Sequence, residues 1–290
     1  MTVKAYAKIN LMLDITGKLE NGYHTLYSVM QTVSLHDTVE VTRNKSGKIT
    51  VECPFDGVPQ GEENIAYKAA ESFFDYCKIS DRGVHIKIDK RIPHGAGLGG
   101  GSADAAAVIN VLCSLYDIGL RNIELIKIAA RVGADVPFCL FGGTALAQNI
   151  GDVLSPLPDL PECYIIIAKP QEQVKTELAY GAYDSVADRI RHFDRQSIIS
   201  AVMSGNLNKI CIRCGNVFEQ CIEVCDRVLI KSVMRKYGAK ATCMSGSGTA
   251  VFGIFEDKLS ACGAYDELKK LTDDTFACKP VKYGCEMAGK

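Results

Sequence analysis

Apolar and polar side chains alternate along the opening segment. Ala7, Ile9, Leu11, Leu13 and Ile15 fall on one face and Lys8, Asn10 and Asp14 on the other, a period of two that predicts a half-buried strand. After a turn over 17–22, residues 26–35 and 37–42 read as further strands and 48–53 as another. Asn64 is placed to cap a helix running to Cys77, with Ala66, Ala69, Ala70 and Phe73 as its apolar stripe. Val84, Ile86 and Ile88 alternate with His85, Lys87 and Asp89 and predict a strand. It runs into a glycine-rich segment and then an alanine-rich helix over 103–116, and a second helix starts at Asn122 and stops at Gly133.

Leu154-Ser155-Pro156-Leu157-Pro158-Asp159-Leu160-Pro161 places three prolines in six positions, the best candidate for a domain boundary. Beyond it, 164–168 predicts a short buried strand, most of 176–240 reads as helical, and 249–255, 256–271 and 276–282 read as strand, helix and closing strand. A β-rich first half and a mixed second half, without regular βαβ repetition, favour an α+β fold with two lobes, 1–155 and 156–290. No internal repeat or low-complexity tract interrupts this pattern.

Composition narrows the function classes. The chain has 290 residues, 47% hydrophobic and 23% charged, enough for a core that needs no covalent staples. Lys+Arg number 33 against 34 Asp+Glu, so no basic field for nucleic acid is present. No apolar run approaches a membrane span, and the first residues carry no signal-peptide core, so a cytoplasmic protein is expected. Thirteen cysteines include one C-x-x-C, Cys211 and Cys214, with Cys221 and Cys225 nearby. No second C-x-x-C or His partner completes a zinc set, and the reading is reduced thiols filling core space.

The chemistry concentrates in Pro93-His94-Gly95-Ala96-Gly97-Leu98-Gly99-Gly100-Gly101-Ser102, with five glycines in the seven positions 95–101. Glycines let backbone amides approach a ligand, and the helix that follows offers unpaired N–H groups and a positive dipole end. That is an anion seat suited to a polyphosphate. No Gly-Lys-Ser/Thr ends it, so it is not a Walker loop. G-x-G-x-x-G occurs at Gly95, Gly97 and Gly100, yet the strands upstream read as antiparallel rather than as a βαβ unit. Taken singly, Lys8 reads as a solvated edge charge, Asp135 as a helix cap or loop acid, and Met244-Ser245-Gly246-Ser247-Gly248 as a loop.

Their joint order says more. Ala5-Tyr6-Ala7-Lys8-Ile9-Asn10-Leu11, the 93–102 segment and the 244–248 turn resemble the three motifs of the GHMP small-molecule kinases. Within that superfamily, Asn21-Gly22-Tyr23-His24 and Gly133-Ala134-Asp135-Val136-Pro137-Phe138, followed by Gly142-Gly143-Thr144-Ala145, are similar to the diphosphocytidyl-methylerythritol kinases of the non-mevalonate isoprenoid pathway. The resemblance spans residues 5 to about 255, loosely over 185–240. It departs at Asn21, where the family often has Asp, and near Thr249, where it often has Pro.

The resemblance implies a two-lobed GHMP kinase fold, its N-terminal lobe like domain 2 of ribosomal protein S5 and its C-terminal lobe ferredoxin-like α/β. It implies transfer of the γ-phosphoryl of ATP to the 2-hydroxyl of diphosphocytidyl methylerythritol, giving the 2-phosphate and ADP. By position, Lys8 and Asp135 match the catalytic pair. Pro93, His94, Gly95, Ala96, Gly97, Leu98, Gly99, Gly100, Gly101, Ser102 and Ala103 match the ATP cradle. Asn10, Tyr23, His24, Thr176, Tyr180, Gly246 and Ser247 match substrate contacts. Mg²⁺ is expected on the phosphates, with Ser102 and Asp104 as nearby oxygen candidates. No membrane or nucleic-acid partner is expected, and the expected assembly is a monomer or weak homodimer. A GHMP kinase for another alcohol, homoserine or a sugar, and a non-enzymatic nucleotide-binding protein remain the alternatives.

Overall fold

β1 (Thr2–Lys18) and β2 (His24–Arg43) form one long antiparallel ribbon. In the turn between them the Asn21 side-chain carbonyl accepts from the Tyr23 amide at 3.1 Å, a bond that Asn and Asp make equally well. The two strands expected over 26–42 are therefore one, bent rather than broken by shifts in register against β1. A computed structural model describes residues 1–288. Next come β3 (Ile49–Glu52), α1 (Ile65–Cys77), β4 (Val84–Asp89), α2 (Gly100–Leu115), α3 (Asn122–Val132), α4 (Val136–Phe141), β5 (Thr144–Asn149) and β6 (Val153–Leu157). Asn64 caps α1 by accepting from the Ala66 amide at 2.9 Å. α2 begins three residues before the expected 103, directly on the glycines, and is buried nearly all round, as its alanine-rich sequence allows. It covers β1 and β2 and packs on α1.

The second half adds β7 (Tyr164–Ala168), α5 (Thr176–Val186), α6 (Arg195–Met203), α7 (Leu207–Cys211), β8 (Gly215–Asn216), α8 (Arg227–Lys236), β9 (Ala241–Met244), β10 (Val251–Phe255), α9 (Lys258–Leu268), β11 (Thr275–Cys278) and β12 (Cys285–Met287). β7, β9, β10 and β11 form a four-stranded antiparallel sheet in the order β11-β7-β10-β9. With α8 and α9 crossing between strands, this is the ferredoxin-like β-α-β-β-α-β arrangement. Ile166, Val251 and Phe255 on its strands meet Ile230 and Met234 of α8 and Ala261, Ala264 and Leu268 of α9 in a core of their own.

The proline-rich run is not a free linker. It forms β6, which pairs with β5 alone, and an edge strand tolerates Pro156 because the missing N–H faces no partner. The expected 155/156 boundary lies inside this strand. β8 and β12, both from the second half, hydrogen-bond to β1 in the first-half sheet. The closing strand is β12, beyond the expected 276–282. All thirteen cysteines are free thiols, most of them wholly or partly buried. Burial pushes Cys163 up to about 12 and Cys211 up to about 11, as expected of inert core fillers.

Candidate active site

Lys8 does not sit on a solvated strand face. It is 4% exposed, and Asn10 and Asp14 on the same face are also buried, because the loops of the second half close over β1. Register shifts fall between Tyr6 and Lys8 and between Asn10 and Met12, and such irregularities re-aim side chains. The Lys8 ammonium donates to Asn10 Oδ1 at 2.8 Å and lies 3.4 Å from Asp135 Oδ2. Asp135 occupies the cap position before α4 but makes no capping bond, which leaves its carboxylate to Lys8 and the cavity. Asn10 Oδ1 also accepts from the Gly246 amide at 2.9 Å, and Asn10 Nδ2 donates to Ser28 Oγ at 2.8 Å. One asparagine thus ties the lysine to the second glycine turn.

The glycine loop is held from two sides. The Lys8 amide donates to the Leu98 carbonyl at 2.9 Å, and Ser245 Oγ donates to the Gly97 carbonyl at 2.9 Å. Gly97 has φ +75°, and a Cβ there would lie 2.1 Å from the Ser245 carbonyl oxygen. Gly99 has φ +70°, and its Cβ would lie 2.9 Å from Lys8 Cγ. Both positions need glycine for close approach as well as for the left-handed backbone. Asn216 supports the partner turn by donating to the carbonyls of Met244 at 2.8 Å and Gly246 at 2.7 Å.

Two cavities meet at this loop. One, of about 350 Å³, is bordered by the segment from Pro93 to Ser102 together with Val58, Pro59 and Asn64. The other, of about 810 Å³, holds Lys8, Asn10 and Asp135 at one end and Tyr23, His24 and Tyr180 at the other. Gly97, Gly99 and Ser102 border both. Ala103 borders neither: its side chain is fully buried, and its amide donates to the Gly99 carbonyl inside α2.

The far end of the larger cavity is built across the two halves of the chain. Thr176, Tyr180 and Asp184 follow one another at four-residue spacing along one face of α5. Thr176 Oγ1 lies 3.1 Å from Ser247 Oγ, joining α5 to the second glycine turn. The Tyr180 ring stacks on His24, centroids 4.7 Å apart at 19°, and stands edge-on to Phe218 at 5.1 Å. Burial pushes the Tyr180 phenol up to about 12, with the Asp135 carboxylate adding to the shift. Tyr23 is 63% exposed at the cavity mouth.

Residues 64–143 match the family model described as GHMP kinases N terminal domain, and residues 227–273 match GHMP kinases C terminal. The 4-diphosphocytidyl-2-C-methyl-D-erythritol kinase of Acetivibrio thermocellus is 41% identical over 285 residues, which is 97% of this chain and 99% of that one. This chain belongs to that kinase family. The kinase of the same name from Clostridium beijerinckii is 39% identical over 283 residues, covering 97% of this chain and 100% of its own. A crystal structure of a 4-(cytidine 5'-diphospho)-2C-methyl-D-erythritol kinase superposes with a TM-score of 0.79 at 32% identity, each chain covered in full. A homoserine kinase from Cytophaga hutchinsonii also reaches 0.79, but at 18% identity that likeness concerns the fold alone.

In this kinase the fold brings Lys8, Asn10, Tyr23, His24, Asp135, Thr176, Tyr180, Gly246 and Ser247 to one cavity, although they come from four distant stretches of sequence. Asp104 is drawn elsewhere. Its Oδ2 accepts from Lys90 at 2.7 Å, and although it borders the smaller cavity it is only 3% exposed. Sequence reasoning missed three residues: Asn216, Lys90 and Asp184. Asp184 had a readable signal in its four-residue spacing from Tyr180. Lys90 and Asn216 had none, since their partners are remote in sequence.

Proposed function

We propose that this kinase transfers the γ-phosphoryl group of ATP to the 2-hydroxyl of 4-diphosphocytidyl-2-C-methyl-D-erythritol, yielding the 2-phosphate and ADP in isoprenoid precursor synthesis. The observation that carries the assignment of roles is the Lys8–Asp135 pair, 3.4 Å apart where the two cavities share Gly97, Gly99 and Ser102. ATP phosphates on the glycine loop and an alcohol in the larger cavity would meet beside that pair. Phosphoryl transfer passes through a loose transition state, so positioning and charge neutralisation dominate. Asp135 accepts the proton that the hydroxyl loses late in the step, a task that a weak base performs well. Lys8, held by Asn10, neutralises charge on the transferring group, and the start of α2 adds unpaired N–H groups.

Among the described residues, no group of three or more His, Cys, Asp or Glu is arranged to hold a metal ion. Mg²⁺ would arrive on the nucleotide phosphates and screen their charge, with the Ser102 hydroxyl, which borders both cavities, and the Asp104 carboxyl, which borders the smaller one, as nearby protein oxygens.

A kinase for homoserine or a sugar would share the phosphate machinery but has no use for the aromatic wall of Tyr23, His24 and Tyr180, which suits a nucleobase. Two measurements test the reading. ADP formation should depend on the diphosphocytidyl alcohol and not on homoserine or hexoses. Cytidine 5'-diphosphate should raise the melting temperature in the presence of an ATP analogue. Turnover of homoserine in preference to the cytidine compound would overturn it.

A further inference from the structure

Asp184 is the one residue of the α5 face that the proposed chemistry leaves without a task. Its Oδ1 lies 2.6 Å from His24 Nε2, and its Oδ2 accepts from the Lys18 ammonium at 2.6 Å. Hydrogen bonds from Lys18 and then from His24 hold its carboxyl below the usual range. A carboxylate only accepts, so the nitrogen facing it must carry the proton. In the neutral ring the other nitrogen, Nδ1, then bears a lone pair. Among the described residues Nδ1 makes no hydrogen bond, and it is not one of the buried polar atoms left unpaired, so it opens on the cavity that His24 lines. The ring cannot readily turn over. Tyr180 stacks on its face and Tyr183 stands edge-on at 5.9 Å and 85°, and a flip would set ring carbon against the carboxylate.

We propose that Asp184 is a positioning residue that sets base specificity: by taking the Nε2 proton of His24 it leaves Nδ1 as an acceptor for the 4-amino group of a cytosine. Uracil presents a 4-oxo acceptor at the same edge, so lone pair would face lone pair. The inference rests on the cytidine reading of the larger cavity. It also explains why an acid on the second half of the chain reaches across to both Lys18 and His24: the bond that orients the ring also fixes α5 against the β1–β2 turn.

The test is binding of cytidine 5'-diphosphate and uridine 5'-diphosphate by calorimetry at mildly alkaline pH, with a non-hydrolysable ATP analogue filling the glycine-loop cavity. The wild type should prefer the cytidine compound by about 10²-fold, the scale set by losing one hydrogen bond and facing a mismatched acceptor. Asp184→Leu should shrink that preference to within about fivefold, mainly by weakening the cytidine compound, with affinity for the ATP analogue unchanged. Asp184→Asn, which keeps one accepting oxygen, should fall between. Nitrogen-15 NMR of histidine-labelled wild type should show His24 protonated on Nε2 alone, a readout that a merely structural ion pair would leave unbiased. The proposal is overturned if His24 carries its proton on Nδ1, if the wild type does not discriminate, or if a folded Asp184→Leu protein discriminates as well as wild type. Discrimination that depends on Asp184 without turnover would sink the reaction assignment and uphold this one. Turnover with discrimination independent of Asp184 would do the reverse.

Discussion

Adjacent glycines rest on two lysines that do opposite jobs. A Cβ on Gly99 would meet Lys8 Cγ at 2.9 Å, and one on Gly100 would meet Lys90 Nζ at 3.1 Å. Lys90 is held between two carboxylates, Asp37 and Asp104, whose side chains are 0% and 4% exposed. Asp37 also accepts from the Ile92 amide at 2.8 Å, fixing the strand exit that leads into the loop. Lys8 has one carboxylate, further away at 3.4 Å, and that carboxylate is 32% exposed to the cavity. A closed cluster spends its charge inside the protein and serves as a seat. An open pair leaves charge for a substrate. Burial pushes the Asp104 carboxyl well above the usual range, and Lys90 pulls it back only in part. Its Oδ1 has no hydrogen-bond partner among the described residues.

The sharpest way to break this contrast is at the open pair. Asp135→Asn should lower kcat by about 10²–10⁴-fold with the melting temperature nearly unchanged. Lys8→Ala should act on the same step, so the double variant should fall far short of the summed losses. Additive effects would mean that the two residues do not work together. At the closed cluster the readout should be stability. Lys90→Met leaves Asp37 and Asp104 without their cation and should cost about 3–5 kcal/mol by urea denaturation, while the folded fraction keeps its kcat. A stable Lys90→Met protein that has lost turnover would erase the distinction.

The two glycines give a smaller test of the same idea. Gly99→Ala, at φ +70°, should cost about 1–2 kcal/mol of backbone strain and displace Lys8, lowering kcat about tenfold. Gly100→Ala has ordinary helical backbone and crowds Ile92 and Lys90, so its effect should be confined to stability. Least of all, Asp104→Asn should cost about 1 kcal/mol, because the amide oxygen can still accept from Lys90 and Asp37 keeps the ion pair. A large loss there, reversed by neither Mg²⁺ nor ATP, would mean that Asp104 is charged and structural. A loss confined to Mg²⁺ dependence would restore it as a metal ligand.

Local features were legible because their causes are local. The cap at Asn64, the alternation over 84–89 and the glycine density over 95–101 each depend on residues a few positions apart, and all appear where expected. α4 was not, since six residues with Pro137 in the first turn show no helical period. β6 was misread because prolines signal a break unless the strand has one free edge, and pairing is invisible in a single sequence. The catalytic candidates were found by their order along the chain. Read one at a time, Lys8 looked like a surface charge and Asp135 like a cap.

By itself the sequence determined which backbone could bend at Gly97 and Gly99, which strand carried Lys8, and the family to which the chain belongs. Only the tertiary structure decided which charges are spent and which are left free. Lys8 lies within β1 and Lys90 one residue past β4, and the alternation around neither tells how many carboxylates will fold against it. The difference lies in what folds beside them: Asp37 and Asp104 hold Lys90 from two sides at the edge of the smaller cavity, whereas Lys8 has a single, more distant carboxylate and faces the larger one. Asp184 is the same case, an ordinary helix-surface acid until His24 and Lys18, more than 150 positions away, arrive beside it. Electrostatic roles depend on solvent access and on partners within a few ångströms, and both are properties of the packed chain.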